Sequence, residues 1–179
     1  MRRVVALAAF AALLAMVQGV AAAYLPLGWC PDLGLLLVVG MGLCWRSTAG
    51  GVLVALLGGY AADLLSGTLL GQHALVRVVA YALARLFSAQ IDLRSALPQM
   101  IWVALLAVTV AALLASTTTF FVPGAGFALP PLRALAVHAL ATGLAAPLVT
   151  GLTARLVTLL GSEEEARRQL HFEPRSFRT

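Results

Sequence analysis

Six runs of apolar residues, 4–25, 33–45, 48–65, 72–87, 96–122 and 132–160, occupy most of this chain and hold very few charges. Of its 179 residues 61% are hydrophobic and 11% charged, whereas a soluble domain carries about 25% charged residues. Such a surface cannot face water, so the chain must dissolve in a lipid bilayer. A straight helical crossing takes roughly 20 apolar residues, and the second and fourth runs fall short of it. Short runs still cross when flanking residues snorkel or the bilayer thins, or they stay inside a bundle as re-entrant pieces. The expected fold is an all-α membrane protein. Six transmembrane helices form one domain over residues 1–161, and a short polar tail follows over 162–179.

Charge placement sets the orientation. Arg2 and Arg3 precede the first run, Arg46 follows the second, Arg85 and Arg94 bracket the connector between the fourth and fifth, and Arg155, Arg167, Arg168, Arg175 and Arg178 lie at or beyond the end of the sixth. The opposite connectors, "PLGWCPD", "SGTLLG" and "VPGAGFALPPLR", hold Arg133 as their one basic residue. The positive-inside bias puts both termini in the cytoplasm, as an even number of crossings requires. The first run, with "MRR" ahead of it and "VAAAY" near its end, has features of a secretory signal. It is longer than a usual signal core, and its removal would spoil the even topology, so it reads as a retained span. In the tail, Ser162 and Glu165 have capping-box spacing, and Glu163 with Arg167 and Glu164 with Arg168 stand four apart. A short cytoplasmic helix is expected to begin there.

The formal net charge is +5, yet the arginines stand singly or in pairs with no basic stripe and no interleaved aromatics, so no nucleic acid is expected as partner. Cys30 and Cys44 flank one apolar run. A helix between them would hold their α-carbons about 21 Å apart, beyond the roughly 7 Å a disulfide allows, so they are not paired with each other.

The stretch "GGYAADLLSGTLLGQHALVR", residues 58–77, concentrates the intramembrane polar groups. Gly51, Ala55, Gly59 and Asp63 recur every four residues, and small residues at that spacing let helices approach closely in lipid. His73, Arg77, Tyr81 and Arg85 form a second series of four-residue steps, a polar stripe that must avoid hydrocarbon. Gly67 and Gly71 offer a tight turn between them. Counting outward from that turn puts Asp63 and Arg77 at similar depth on antiparallel neighbours. The expected arrangement is an Asp63–Arg77 ion pair with His73 alongside, so that neither charge enters the bundle unmatched. Asp63, Gly67, Gly71, His73, Arg77, Tyr81, Gly51 and Gly59 are therefore the structural and partner-binding candidates.

Ionisable residues inside a membrane suggest function by default. No second carboxylate lies within a run, however, no metal-ligand cluster appears, and no zincin, nucleophile-elbow or P-loop spacing occurs. No catalytic, metal or cofactor site is expected, and the short connectors "SGTLLG" and "VPGAGFALPPLR" argue against a substrate site. His138 reads as a hydrogen-bonded residue of the bundle. Ala139, Gly143, Pro147 and Gly151 form another close-approach series, with Pro147 expected to kink the sixth helix. The hydroxyls of "STTT", residues 116–119, are expected to bond back to helix carbonyls.

The segment from "PDL" at 31–33 through "DLLSG" at 63–67 and "LGQHAL" at 70–75, with a tyrosine near the middle of the fourth run, resembles the MreD family of bacterial rod-shape-determining membrane proteins. Length and span count agree over the rest of the chain. The resemblance implies a non-enzymatic scaffold of the cell-elongation machinery in the inner membrane, concerned with cell shape and peptidoglycan synthesis. It implies work beside MreC, the MreB filament, and RodA with its partner transpeptidase. It also implies an architecture similar to the six-helix S components of energy-coupling-factor transporters, with the transmembrane helix of MreC held against the bundle. A homodimer stays open. The alternative is a substrate-binding membrane subunit of a vitamin or metabolite transporter, whose pocket would open outward between the Asp63–His73 hairpin and "VPGAGFALPP".

Overall fold

The computed structural model of the chain describes residues 2–26, 28–45, 47–67, 69–88, 95–124 and 126–172, with backbone alone at residue 2 and over 162–172. Six helices follow in order: α1 (Arg2–Tyr24), α2 (Leu33–Cys44), α3 (Thr48–Ser66), α4 (Gln72–Ser88), α5 (Ala96–Phe121) and α6 (Leu132–Phe172). No strand occurs among the described residues. Each helix coincides with one apolar run, because hydrocarbon forces a segment to satisfy its backbone internally. Four of them, α1, α3, α5 and α6, are long and apolar enough to cross a membrane.

The shortest helix occupies the centre. The 12 residues of α2 rise only about 18 Å, against a hydrocarbon thickness of roughly 30 Å. Every residue from Gly34 to Gly42 is buried, and α2 touches all five other helices. A helix apolar on all sides belongs in an interior, and here its longer neighbours supply that interior. Asp32 caps its start through the Leu35 N–H at 2.9 Å, and the Trp45 N–H closes its end on the Met41 carbonyl.

Around this post α3 packs on α4 and α1, and α5 packs on α6, while α4 and α6 flank α2. Hydrogen bonds of Arg77 with Asp32 and of His138 with the Cys30 carbonyl gather the α1–α2, α3–α4 and α5–α6 connectors at one end, the hairpin end. At the opposite end Arg3 donates to the Leu160 and Gly161 carbonyls at 3.1 and 2.8 Å, and Arg85 donates to the Trp45 carbonyl. The helix α6 runs unbroken through Pro147 and Ser162 to Phe172. The expected new helix start at Ser162 is therefore absent: the polar tail begins as an extension of α6, since no proline or glycine break falls at Ser162. The Glu–Arg pairs of the tail concern side chains outside those described, and Arg46, Arg94, Arg175 and Arg178 lie outside the described residues.

The α3–α4 contact depends on missing side chains. A Cβ on Gly51 would lie 2.2 Å from the Tyr81 ring and hydroxyl, and one on Gly59 would lie 2.4 Å from the Ala74 α-carbon. Gly51, Ala55, Gly59 and Asp63 are all buried, which is the close-approach face read from their spacing. On α6, Gly143 meets the Met100 carbonyl of α5 in the same way, whereas Gly151 faces open space. Overpacking a tight contact costs about 1–3 kcal/mol or more. Gly59→Val is thus expected to lower the thermal midpoint of the detergent-solubilised protein clearly. Gly19→Val, at an exposed position with nothing within 4 Å, is expected to leave it unchanged.

Candidate functional site

The polar groups of the hairpin end lie where the starts of α2, α4 and α6 meet the ends of α1, α3 and α5. The helix α4 begins at Gln72 after Gly71, which has φ of +91° and no side chain to cap the helix. Asp63, from the last turns of α3, supplies the missing acceptor. Its carboxylate accepts the N–H groups of Gly71 at 2.9 Å, His73 at 2.9 Å and Ala74 at 3.3 Å. It also accepts His73 Nδ1 at 2.8 Å. A negative charge at a helix N-terminus is favourable for the same reason that anions bind there. The turn that permits this is closed by Gly67, in the left-handed region at φ 64°, whose N–H bonds back to the Asp63 carbonyl.

Arg77 is paired elsewhere than the sequence reading expects. Its Nη2 lies 3.0 Å from Asp32 Oδ1, so the Asp63–Arg77 pair is replaced by two couples, Asp63–His73 and Asp32–Arg77. Asp63 is saturated by the start of α4, and Arg77, one turn further in, crosses to the start of α2. Gly34 makes room for it, since a Cβ there would lie 1.7 Å from Arg77 Nη1. Asp32 is further fixed through its N–H to Thr142 Oγ1 at 3.2 Å, and the next N–H, of Leu33, donates to Gln18 Oε1 at 3.0 Å. The start of α2 is thereby tied to α1, α4 and α6 at once. Burial alone would raise the Asp32 carboxyl, which sits in the connector ahead of α2. The Arg77 guanidinium, the Leu35 N–H and nearby His138 outweigh burial and hold it below the usual carboxylate range. A lowered folded pKa means the pair stabilises the fold at neutral pH and loses that effect as pH falls through the folded value.

The remaining stripe residues also turn inward. Tyr81 is 1% exposed, seated over Gly51, and its hydroxyl has no hydrogen-bond partner among the described residues. Asp63, Arg77 and Tyr81 thus lie inside the chain's own bundle. His73 keeps partial contact with the surroundings, its side chain being 24% exposed. Two groups escaped the sequence reading. Gln72 directs its amide at the Leu114 carbonyl and the Thr117 and Thr118 hydroxyls, at 2.8–2.9 Å, which fastens α4 to α5. Asp32 was visible as the acid opening the second run, but counting depth along one hairpin passed it over. The hydroxyls of Ser116, Thr117, Thr118 and Thr119 bond back to helix carbonyls as expected. His138 bonds through Nδ1 to the Cys30 carbonyl at 2.9 Å, and both cysteines are free thiols.

Beside this cluster lies a cavity of about 490 Å³, bounded by the starts of α4 and α6, the end of α5 and the connector residues Gly28, Ala128 and Pro130. His73 and His138 line it, and Asp63 and Arg77 do not. The connectors, expected to be too short for a substrate site, contribute Gly28, Ala128 and Pro130 to its lining. Among the described residues no group of three His, Cys, Asp or Glu could hold a metal ion. Compared with protein-family models, curated proteins and solved structures, the chain matches none.

Coupling energies separate the observed pairing from the expected one. Contacting charges show non-additivity of about 0.5–3 kcal/mol. A double-mutant cycle of Asp32→Asn with Arg77→Gln, followed by thermal unfolding, is expected to fall in that range. The cycle of Asp63→Asn with Arg77→Gln is expected to give the smaller coupling, and the reverse order would refute the assignment.

Proposed function

We propose that this chain is a membrane scaffold of the MreD type, without catalysis of its own, in the bacterial cell-elongation complex. It crosses the inner membrane six times with both termini in the cytoplasm, in a bundle akin to transporter S components. It holds the transmembrane helix of MreC and helps couple MreB filaments to the RodA synthase and its transpeptidase. One observation carries the reading. Asp32, Asp63 and His73, the polar residues of "PDL", "DLLSG" and "LGQHAL", interlock the hairpin ends of the bundle. Groups held in that way serve a fixed shape. Outside the lock the surface is apolar, with Leu97, Ile101 and Leu105 of α5 and Leu140, Leu144 and Leu148 of α6 all exposed. Such surfaces meet lipid or other transmembrane helices, and close helix contact in lipid rests on shape and small residues more than on charge.

Co-expression with MreC and affinity purification of the intact chain test the proposal. MreC is expected to be retained near stoichiometrically by the wild type. It is expected to be lost with Asp63→Ala, which leaves the start of α4 uncapped and His73 without its carboxylate. Purified chain that never retains MreC would refute the scaffold reading. The cavity favours a second reading, the substrate-binding transporter subunit, because it opens between the hairpin and the "ALPP" segment where such a pocket would lie. Native mass spectrometry that finds a stoichiometric metabolite, with uptake dependent on the chain, would favour this second reading.

A further inference from the structure

We infer that the hairpin-end cavity is a binding site for an uncharged small molecule with an apolar body and one hydroxyl or amide N–H, anchored on Nε2 of His138. The volume of about 490 Å³ lies in the range of small-molecule sites, which combine apolar walls with a few placed polar groups. Ala111, Leu114, Ala115, Pro130 and Ala134 form apolar wall here, and no Arg, Asp or Glu lines the space. An anion would meet no arginine or lysine there and a cation no carboxylate, so charge is selected against.

The polar wall is mostly committed. The Gln72 amide and the Thr118 hydroxyl are bonded to one another and to the Leu114 carbonyl. His73 turns its Nδ1 to Asp63. His138 differs. Its Nδ1 faces a carbonyl, which can only accept, so Nδ1 carries a proton, and Nε2 is an acceptor whenever the ring is uncharged. His138 makes no other hydrogen bond among the described residues. A ligand donor there gains a directional contact inside an otherwise apolar space. Trp29, Phe120, Phe121 and Phe127 stand exposed on this same end, as aromatic residues do at the depth of the lipid headgroups. The mouth is thus reachable by molecules that partition to that level.

The inference does not rest on the scaffold reading, and MreC retention measured on the same variants reports that reading separately. The test uses the full chain in nanodiscs with Cys30→Ser, Cys44→Ser and a reporter thiol, Ala134→Cys, in the cavity wall. Maleimide labelling is followed in the presence of 1-naphthol, naphthalene or naphthalene-1-sulfonate. The neutral alcohol is expected to slow labelling saturably, naphthalene to need about five- to tenfold more, as the loss of one hydrogen bond implies, and the sulfonate to give no protection. His138→Leu is expected to bring 1-naphthol down to the level of naphthalene. Ala115→Trp, which fills the space with His138 intact, is expected to abolish protection. If His138→Leu fails to fold, the comparison of the three probes and Ala115→Trp decide alone. Equal protection by alcohol and hydrocarbon, protection by the sulfonate, unchanged protection in Ala115→Trp, or no labelling of the reporter would each overturn the assignment.

Discussion

A charge inside an apolar bundle must be met by an opposite charge or by hydrogen-bond donors, and that requirement arranges the hairpin end of this protein. Asp63 is 1% exposed, and it is tolerable there only because three backbone N–H groups and an imidazole converge on it. These donors lie in the first turn of α4 and at the residue just ahead of it, and the helix has no cap of its own. Each partner therefore relieves the other, and α3 and α4 can approach only in the register that brings them together. Leaving one member of such a couple unmatched in the interior costs about 3–5 kcal/mol, which is comparable with the whole stability of many domains.

The second couple, Asp32 with Arg77, extends the constraint to the centre. The helix α2 is shorter than the roughly 30 Å of a typical hydrocarbon core, and its apolar surface gives no rotational or axial register by itself. Register comes from its polar start, where Asp32 binds Arg77, its N–H binds Thr142, and the Leu33 N–H binds Gln18. Apolar burial holds α2 inside, and directional bonds decide where along the bundle it sits. The far end is secured differently. There arginine side chains bond to carbonyls of neighbouring segments, as Arg3 does to Leu160 and Gly161 and Arg85 to Trp45.

These two devices also explain why a cavity coexists with so tight a lock. The contacts of α3 with α4 and of α2 with its neighbours pack one half of the hairpin end tightly. On the other half, α5 and α6 meet at small residues such as Gly143 lower down, and the connectors of α1–α2 and α5–α6 roof the space above. The lock fixes the shape of one side of the hairpin end, and the cavity lies beside it. Neither requires reacting groups.

The sequence by itself determined the helices. Apolar runs with so few charges can do nothing else in hydrocarbon, so the observed elements follow those runs to within a few residues, apart from α6, which continues into the polar tail. The four-residue spacing of Gly51, Ala55, Gly59 and Asp63 likewise marked an inward face, since helical period converts spacing into a side. Which acid meets which base lay beyond that reach. Asp32 and Asp63 both stand near the hairpin end, and depth counted along the chain cannot rank them. Only the three-dimensional arrangement, in which α4 lies against α2 as well as α3 and its own first turn claims Asp63, leaves Arg77 to Asp32. The cavity is likewise a tertiary product, because its walls come from segments far apart in the chain, and empty space between helices leaves no mark on local residue spacing.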